Sequence, residues 1–199
     1  MRTFNDAIQH RRSYYALRPE SPVGDGQLEE LLRFAIQHIP SAYNSQSTRL
    51  VLLLHEAHAA FWQLVEQVLQ PLVPAEHFPK TREKIANSFA SGYGTVLFYE
   101  DEQVVLSLQA VNPAYADNFP VWAEHTSAMH QLAVWTMLED AGFGASLQHY
   151  NPLVDKLVQQ RWNLPETWRL IAQMPFGVPA DEPGPKSCQP IAGRLRVFK

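Results

Sequence analysis

Cysteine is almost missing. Cys188 is the one thiol in 199 residues, which excludes an intrachain disulfide and a cysteine-only zinc site. It sits in a proline-rich tail with no adjacent base, as an ordinary thiol does. No apolar run reaches the roughly 20 residues that a bilayer span needs. Met1 to His10 lacks the apolar core of a secretory signal, so a cytoplasmic location is the default expectation. Basic charge is not in excess either. A formal net charge of −4 argues against a general nucleic-acid or anionic-membrane binder.

Several catalytic signatures are absent as well. There is no Gly-x-Ser-x-Gly elbow, no phosphate-cradling P-loop and no Gly-x-Gly-x-x-Gly fingerprint. Gly142-Phe143-Gly144 follows a helical pattern, not a strand, so it does not count as one. His55-Glu56-Ala57-His58 spaces its histidines at i, i+3, where the helical metalloprotease motif needs i, i+4. With no third ligand nearby, both read as surface histidines and no metal site is expected. His125 and His130 are five apart and point to different faces of their helix. His149 follows an expected strand as a loop histidine.

What is present is the composition of an ordinary globular domain, 46% hydrophobic and 18% charged. No repeat, low-complexity tract or linker divides the chain, so one domain is expected over residues 1–199. Thr3 caps a first helix, with Asp6 completing a capping box, and Arg11-Arg12 falls at that helix's end. Tyr14 to Gly26 reads as a loop. Asp25 is the expected cap of a second helix with an apolar stripe of Leu28, Leu31, Leu32, Ala35 and Ile36, ended by Pro40. Leu50 to Leu54 suits a strand buried on both faces. Further helices are expected over Glu56–Gln70, Phe78–Ser91 and Asp101–Ala110, with a strand at Thr95–Tyr99. The helix Val121–Ala141 is apolar over much of its circumference, which suits a central helix or a dimer interface. An extended segment after Gly142, a helix Pro152–Trp162 capped by Asn151, and a strand Trp168–Phe176 follow. An arm covers about 179–199, and the alternation in Arg194–Lys199 predicts an edge strand. The order favours an α+β fold with a small, mostly antiparallel sheet wrapped by helices.

Two stretches carry chemistry. Arg11-Arg12-Ser13 offers guanidinium forks and a hydroxyl that match a phosphate, or else a solvated pair that counters a helix dipole. Ser41, Asn44 and Gln46 lie in a polar run before a buried strand. Their donors and acceptors suit the edge of a planar heterocycle or a chain of hydroxyls.

In this order, the two stretches resemble the nitroreductase family of FMN enzymes. There the first helix ends in Arg-x-Ser, matched by Arg11 and Ser13. A Pro-Ser-x-x-Asn-x-Gln element is matched by Pro40, Ser41, Asn44 and Gln46. A later Asn is matched by Asn87, a Gly-rich turn after the long helix by Gly142 to Ala145, and a basic residue of the arm by Lys186. The pattern is similar to the compact branch of fungal and small bacterial nitroreductases. Two departures stand out. Tyr15 occupies a position where many members carry a basic residue, and the basic cluster of the arm is sparse. Both point to a rearranged phosphate clamp, with Arg12 or Arg194 substituting.

The resemblance implies a nitroreductase-like fold and a homodimer with FMN at the interface. It also implies NAD(P)H as co-substrate and a nitro compound or quinone as acceptor. One site would serve both in turn, which predicts ping-pong kinetics. The implied cofactor contacts are Arg11, Arg12, Ser13, Ser41, Asn44, Gln46, Asn87, Gly144, Ala145 and Lys186. No side chain need act as nucleophile, because the flavin N5 carries the chemistry. Tyr43, Tyr115 and Phe119 are candidates for the substrate face, since aromatics stack on planar rings. Two other readings stay open: a flavin carrier or sensor with little turnover, and a flavin-independent interaction protein.

Overall fold

Strand β3 (Gly94–Asp101) is the spine of the molecule in the computed structural model, which describes residues 3–199. It pairs antiparallel with β2 (Thr48–Leu54) on one side and with β5 (Trp168–Pro179) on the other. β5 also pairs antiparallel with β1 (Leu17–Arg18), near its C-terminal end, and with β4 (Gly144–Ala145) on the edge away from β3. The sheet order is β1-β5-β3-β2, with β4 off this path. β3 is buried along nearly its whole length because helices cover both of its faces. Its side chains therefore alternate between two cores. Val96 and Phe98 pack with α2 (Asp25–His38) and α6 (Asn118–Asp140). Leu97 and Tyr99 pack with α3 (His55–Leu69), the end of α4 (Phe78–Ile85) and α7 (Asp155–Trp162). β2 divides in the same way, Leu50 and Leu52 to one core and Val51 and Leu53 to the other.

Helix α1 (Phe4–His10) starts at the expected capping box of Thr3 and Asp6. Asp101 caps α5 (Glu102–Val111) by accepting from the Gln103 N–H. Other boundaries moved. Gly24, not Asp25, is the N-cap of α2. The Asp25 carboxylate instead accepts from the Tyr93 hydroxyl and meets His55 Nε2 at 2.9 Å. The expected helix 78–91 is α4 followed by a π turn at Ala86–Ala90. α6 begins before Pro120, because a missing N–H in the first turn removes no helical bond. Asn151 does not cap α7. Its side-chain oxygen accepts from Gln173, and the helix starts later, at Asp155. The loop at Tyr14–Gly26 contains β1, whose residues pair with Val178 and Pro179.

The C-terminal residues after the turn at Ile191–Gly193 form no strand, contrary to the alternation in Arg194–Lys199. A strand needs a neighbour, and among the described residues that segment pairs with no strand of this chain. Leu195, Val197 and Phe198 are consequently exposed, Phe198 by 90%. Among the described residues, no helix is long and apolar enough to cross a membrane.

Candidate functional site

The cationic segment is built where α1 ends. Arg11 leaves helical geometry as the C-cap, and its N–H still reaches the Ala7 carbonyl. The chain then runs extended, so that Ser13 bridges Ala145 in parallel and Tyr14 N–H donates to Ala145 O at 3.0 Å. Glycine at 144 allows this approach. A Cβ there would stand 2.7 Å from the Tyr14 ring. Two expected elements, the Arg-Arg-Ser segment and the glycine turn, are thus direct neighbours at the C-terminal end of α6.

The two arginines do different things. The Arg11 guanidinium lies 4.5 Å from the centroid of the Trp135 ring on α6. Its Nε is buried with no partner among the described residues, and so is Trp135 Nε1. Arg12 instead donates to the Gly184 carbonyl at 2.6 Å, which ties the C-terminal arm across the segment. Lys186, two residues further on, is therefore within about 7 Å of that tie along the chain. A cavity of about 530 Å³ opens between Arg12, Ser13 and Tyr15 on one wall and Asp181, Glu182 and Gly184 on the other.

The amide-bearing loop follows α2. Tyr43, Asn44 and Gln46 all have left-handed backbones, with φ of 56°, 51° and 49°. None is glycine, so each costs about 1–2 kcal/mol. Surrounding bonds hold the loop in this shape. Gln46 N–H donates to Ser41 Oγ at 3.0 Å, and Arg49 donates to the Gln46 carbonyl at 2.6 Å. Beneath it, the Ser47 and Thr48 hydroxyls each donate to a different oxygen of Glu100, both at 2.5 Å. Glu100 is 0% exposed. Burial pushes its carboxyl above the ordinary value, against the opposing effect of those two hydroxyls. Asn44 and Gln46 themselves face solvent.

Tyr43 stacks on Trp122 of α6 at 5.8 Å and 17°, with the Phe119 ring edge-on to it at 5.3 Å. Tyr115 joins them 6.2 Å from Tyr43. The three candidate substrate-face residues thus form one cluster. Tyr43 and Tyr115 are half exposed, while Phe119 is buried beneath them. This cluster sits at the N-terminal end of α6. Trp135 lies thirteen residues further along the same helix, about 20 Å away at 1.5 Å per residue. Within one chain, then, the cationic segment and the amide loop occupy opposite ends of α6.

Asn87 is exposed in the π turn, with its carbonyl accepting from Ser91. That turn approaches the residues just after the cationic segment through Phe89 and Tyr15, whose ring centroids lie 6.4 Å apart. Lys84 stands 5.8 Å over the same Phe89 ring. The expected surface position of His58 is corrected. It is buried, bonded through Nδ1 to Thr95 Oγ1 and through Nε2 to Ala90 O. Among the described residues no group of His, Cys, Asp or Glu could hold a metal ion. Trp135, Glu100 and Lys84 were not singled out from the sequence for this site. A tryptophan in an apolar helix reads as packing, and a carboxylate at a strand end reads as a helix cap.

A spine of antiparallel strands, a long central helix and these two polar segments define a chain that belongs to the nitroreductase family, whose model matches residues 8–178. Members of that family typically bind FMN. The chain is 34% identical to the putative nitroreductase HBN1 of Saccharomyces cerevisiae, over 93% of this chain and 92% of the relative. It is 35% identical to the nitroreductase FRM2 of the same yeast, over 92% and 91%. Among solved structures, nitroreductase CinD from Lactococcus lactis in complex with chloramphenicol superposes with a TM-score of 0.89. It is 38% identical and covers 99% of this chain and 100% of its own. CinD has also been solved in complex with 4-nitrophenol.

Proposed function

We propose that the chain is an FMN-dependent NAD(P)H oxidoreductase that reduces nitroaromatic compounds or quinones. It works as a homodimer whose flavin sites draw on both protomers. The observation that carries this reading is the placement of the two polar segments at opposite ends of one helix. The outer face of α6 exposes Val121, His125, Ala128, Met129 and Leu132, which follow each other at helical spacing. Two such faces pairing antiparallel about a two-fold axis would bring the cationic end of one protomer to the amide loop of its partner. The exposed apolar C-terminus and the open outer edge of β2 supply further unpartnered surface.

The residues fit the cofactor. Arg11 has a buried nitrogen awaiting an acceptor, and with Arg12, Ser13 and Lys186 it would hold the phosphate. Ser41, Asn44 and Gln46 would hold the pyrimidine edge or the ribityl hydroxyls. The small residues Gly144 and Ala145 let backbone approach the ring. Bound FMN supplies the centre that takes a hydride from the nicotinamide and passes electrons on. Tyr43 and Tyr115 would cover a planar acceptor by stacking. The nitroaromatic ligands of CinD support that choice of substrate.

The purified protein is expected to be yellow, to lose its flavin absorbance with NADH or NADPH without oxygen, and to regain it on adding 4-nitrophenol or a quinone. Arg11→Ala should lower FMN retention about tenfold or more, the loss of a charge-assisted bond. A yellow protein that neither nicotinamide bleaches would be a carrier. A colourless one that ignores added FMN would be no flavoprotein.

A further inference from the structure

Trp135 lies among the partly buried residues packed on the core that α2 and α6 share. A phenylalanine or leucine would fill such a place without burying a donor. The indole Nε1–H is buried and has no acceptor among the described residues, which carries a free-energy cost. The same is true of Arg11 Nε, and the Arg11 guanidinium lies 4.5 Å from the Trp135 ring centroid. Neither group can accept a hydrogen bond. A stacked pair that holds two buried, unanswered donors calls for an acceptor rich in lone pairs. Arg12 Nη2 is engaged with the Gly184 carbonyl, so Arg12 would meet that acceptor through its remaining N–H groups.

We propose that Trp135 is a cofactor-positioning residue, resting on the FMN reading above. Its indole face fixes the Arg11 guanidinium as a preorganised fork for the flavin's phosphate, and its N–H adds a donor beside Arg11 Nε–H. A planar cation on an indole is held by cation–π attraction while its edge stays free to bond. The pair therefore selects the phosphorylated flavin over riboflavin. That task differs from packing, which would affect both flavins alike.

The test is to titrate the full chain with FMN and separately with riboflavin, following the quenching of flavin fluorescence. Wild type, Trp135→Leu, Trp135→Phe and Arg11→Ala are compared, with far-ultraviolet circular dichroism to check folding and sedimentation to check assembly. Trp135→Leu should weaken FMN about tenfold, within the range of a desolvated cation–π pair, and leave riboflavin nearly unchanged. Trp135→Phe keeps an aromatic face and loses the N–H, so it should fall between wild type and Trp135→Leu. In the Arg11→Ala background, Trp135→Leu should cost nothing further for FMN.

Equal losses for both flavins would overturn the proposal. So would an unchanged FMN-to-riboflavin ratio, including one accompanied by a shifted monomer–dimer balance, since the two donors would then serve the partner subunit. A wild type that binds neither flavin would sink the cofactor reading itself, and this inference with it.

Discussion

Glu100 is a buried carboxyl beneath the Ser41–Gln46 loop, and its chemistry gives a pH signature. Burial raises its folded value above the ordinary 4.5. The native state therefore keeps a proton that the unfolded chain has already lost. Between those two values stability falls as pH rises. Glu100→Gln should flatten that decline in denaturant titrations across the window. Glu100→Ala leaves two buried hydroxyls unanswered and should cost about 1–3 kcal/mol. His58 and His130 act in the opposite sense. Burial lowers both below the ordinary 6.5, so the unfolded chain binds protons that the native state refuses. Stability should drop as pH falls through about 6.5, and His130→Gln should reduce the loss measured between about pH 7.5 and 5.5. At this scale the sequence carried Ser41, Asn44, Gln46, Arg11 and Ser13, because their order forms a pattern. It did not carry Trp135 or His58. Both sit at apolar helical spacing, where local residues do not say which distant group will meet them, Thr95 of β3 for His58 and Arg11 for Trp135.

The loop Ser41–Gln46 is the element in which shape and composition disagree. Three consecutive-to-near left-handed residues without a glycine leave no local signature of strain. Nothing in the sequence marks Tyr43 or Gln46 as left-handed. The loop is held by Ser41 Oγ within it and by Arg49 three residues on, and only the buried Glu100, which anchors the following Ser47 and Thr48, comes from a distant strand. Gln46→Gly separates the two roles of its position. Glycine adopts this backbone without the steric cost, about 1–2 kcal/mol, though its own flexibility offsets roughly half of that gain. Thermal stability should hold or rise slightly. FMN affinity should nevertheless fall several-fold, because the amide proposed to meet the cofactor is gone. A parallel loss of stability and affinity would make Gln46 a structural residue only. Other elements were legible for good reason. α1 has its capping box, and β2 has apolar residues on both faces. β1 was not, since two residues show no period.

The whole molecule presents a surface that a lone chain leaves unfinished. α6 was expected to be buried on more than one side, and one side is indeed core. The other exposes a stripe that includes Leu132, 48% accessible, and Met129. The C-terminal segment has the alternation of an edge strand and pairs with no strand among the described residues. The proposed second copy would account for both features, and it would unite the polar segments that one chain holds about 20 Å apart. Leu132→Glu tests this directly. A charge on that stripe is costly when desolvated between helices, so the variant should sediment as a monomer at concentrations where wild type is a dimer. Because each flavin site would need both protomers, FMN content should fall in step with the dimer fraction while far-ultraviolet circular dichroism stays unchanged. A monomeric Leu132→Glu protein that keeps a full complement of FMN would show that one chain builds the site alone. The cofactor would then have to lie at one end of α6, and the segment at the other end would need a different role.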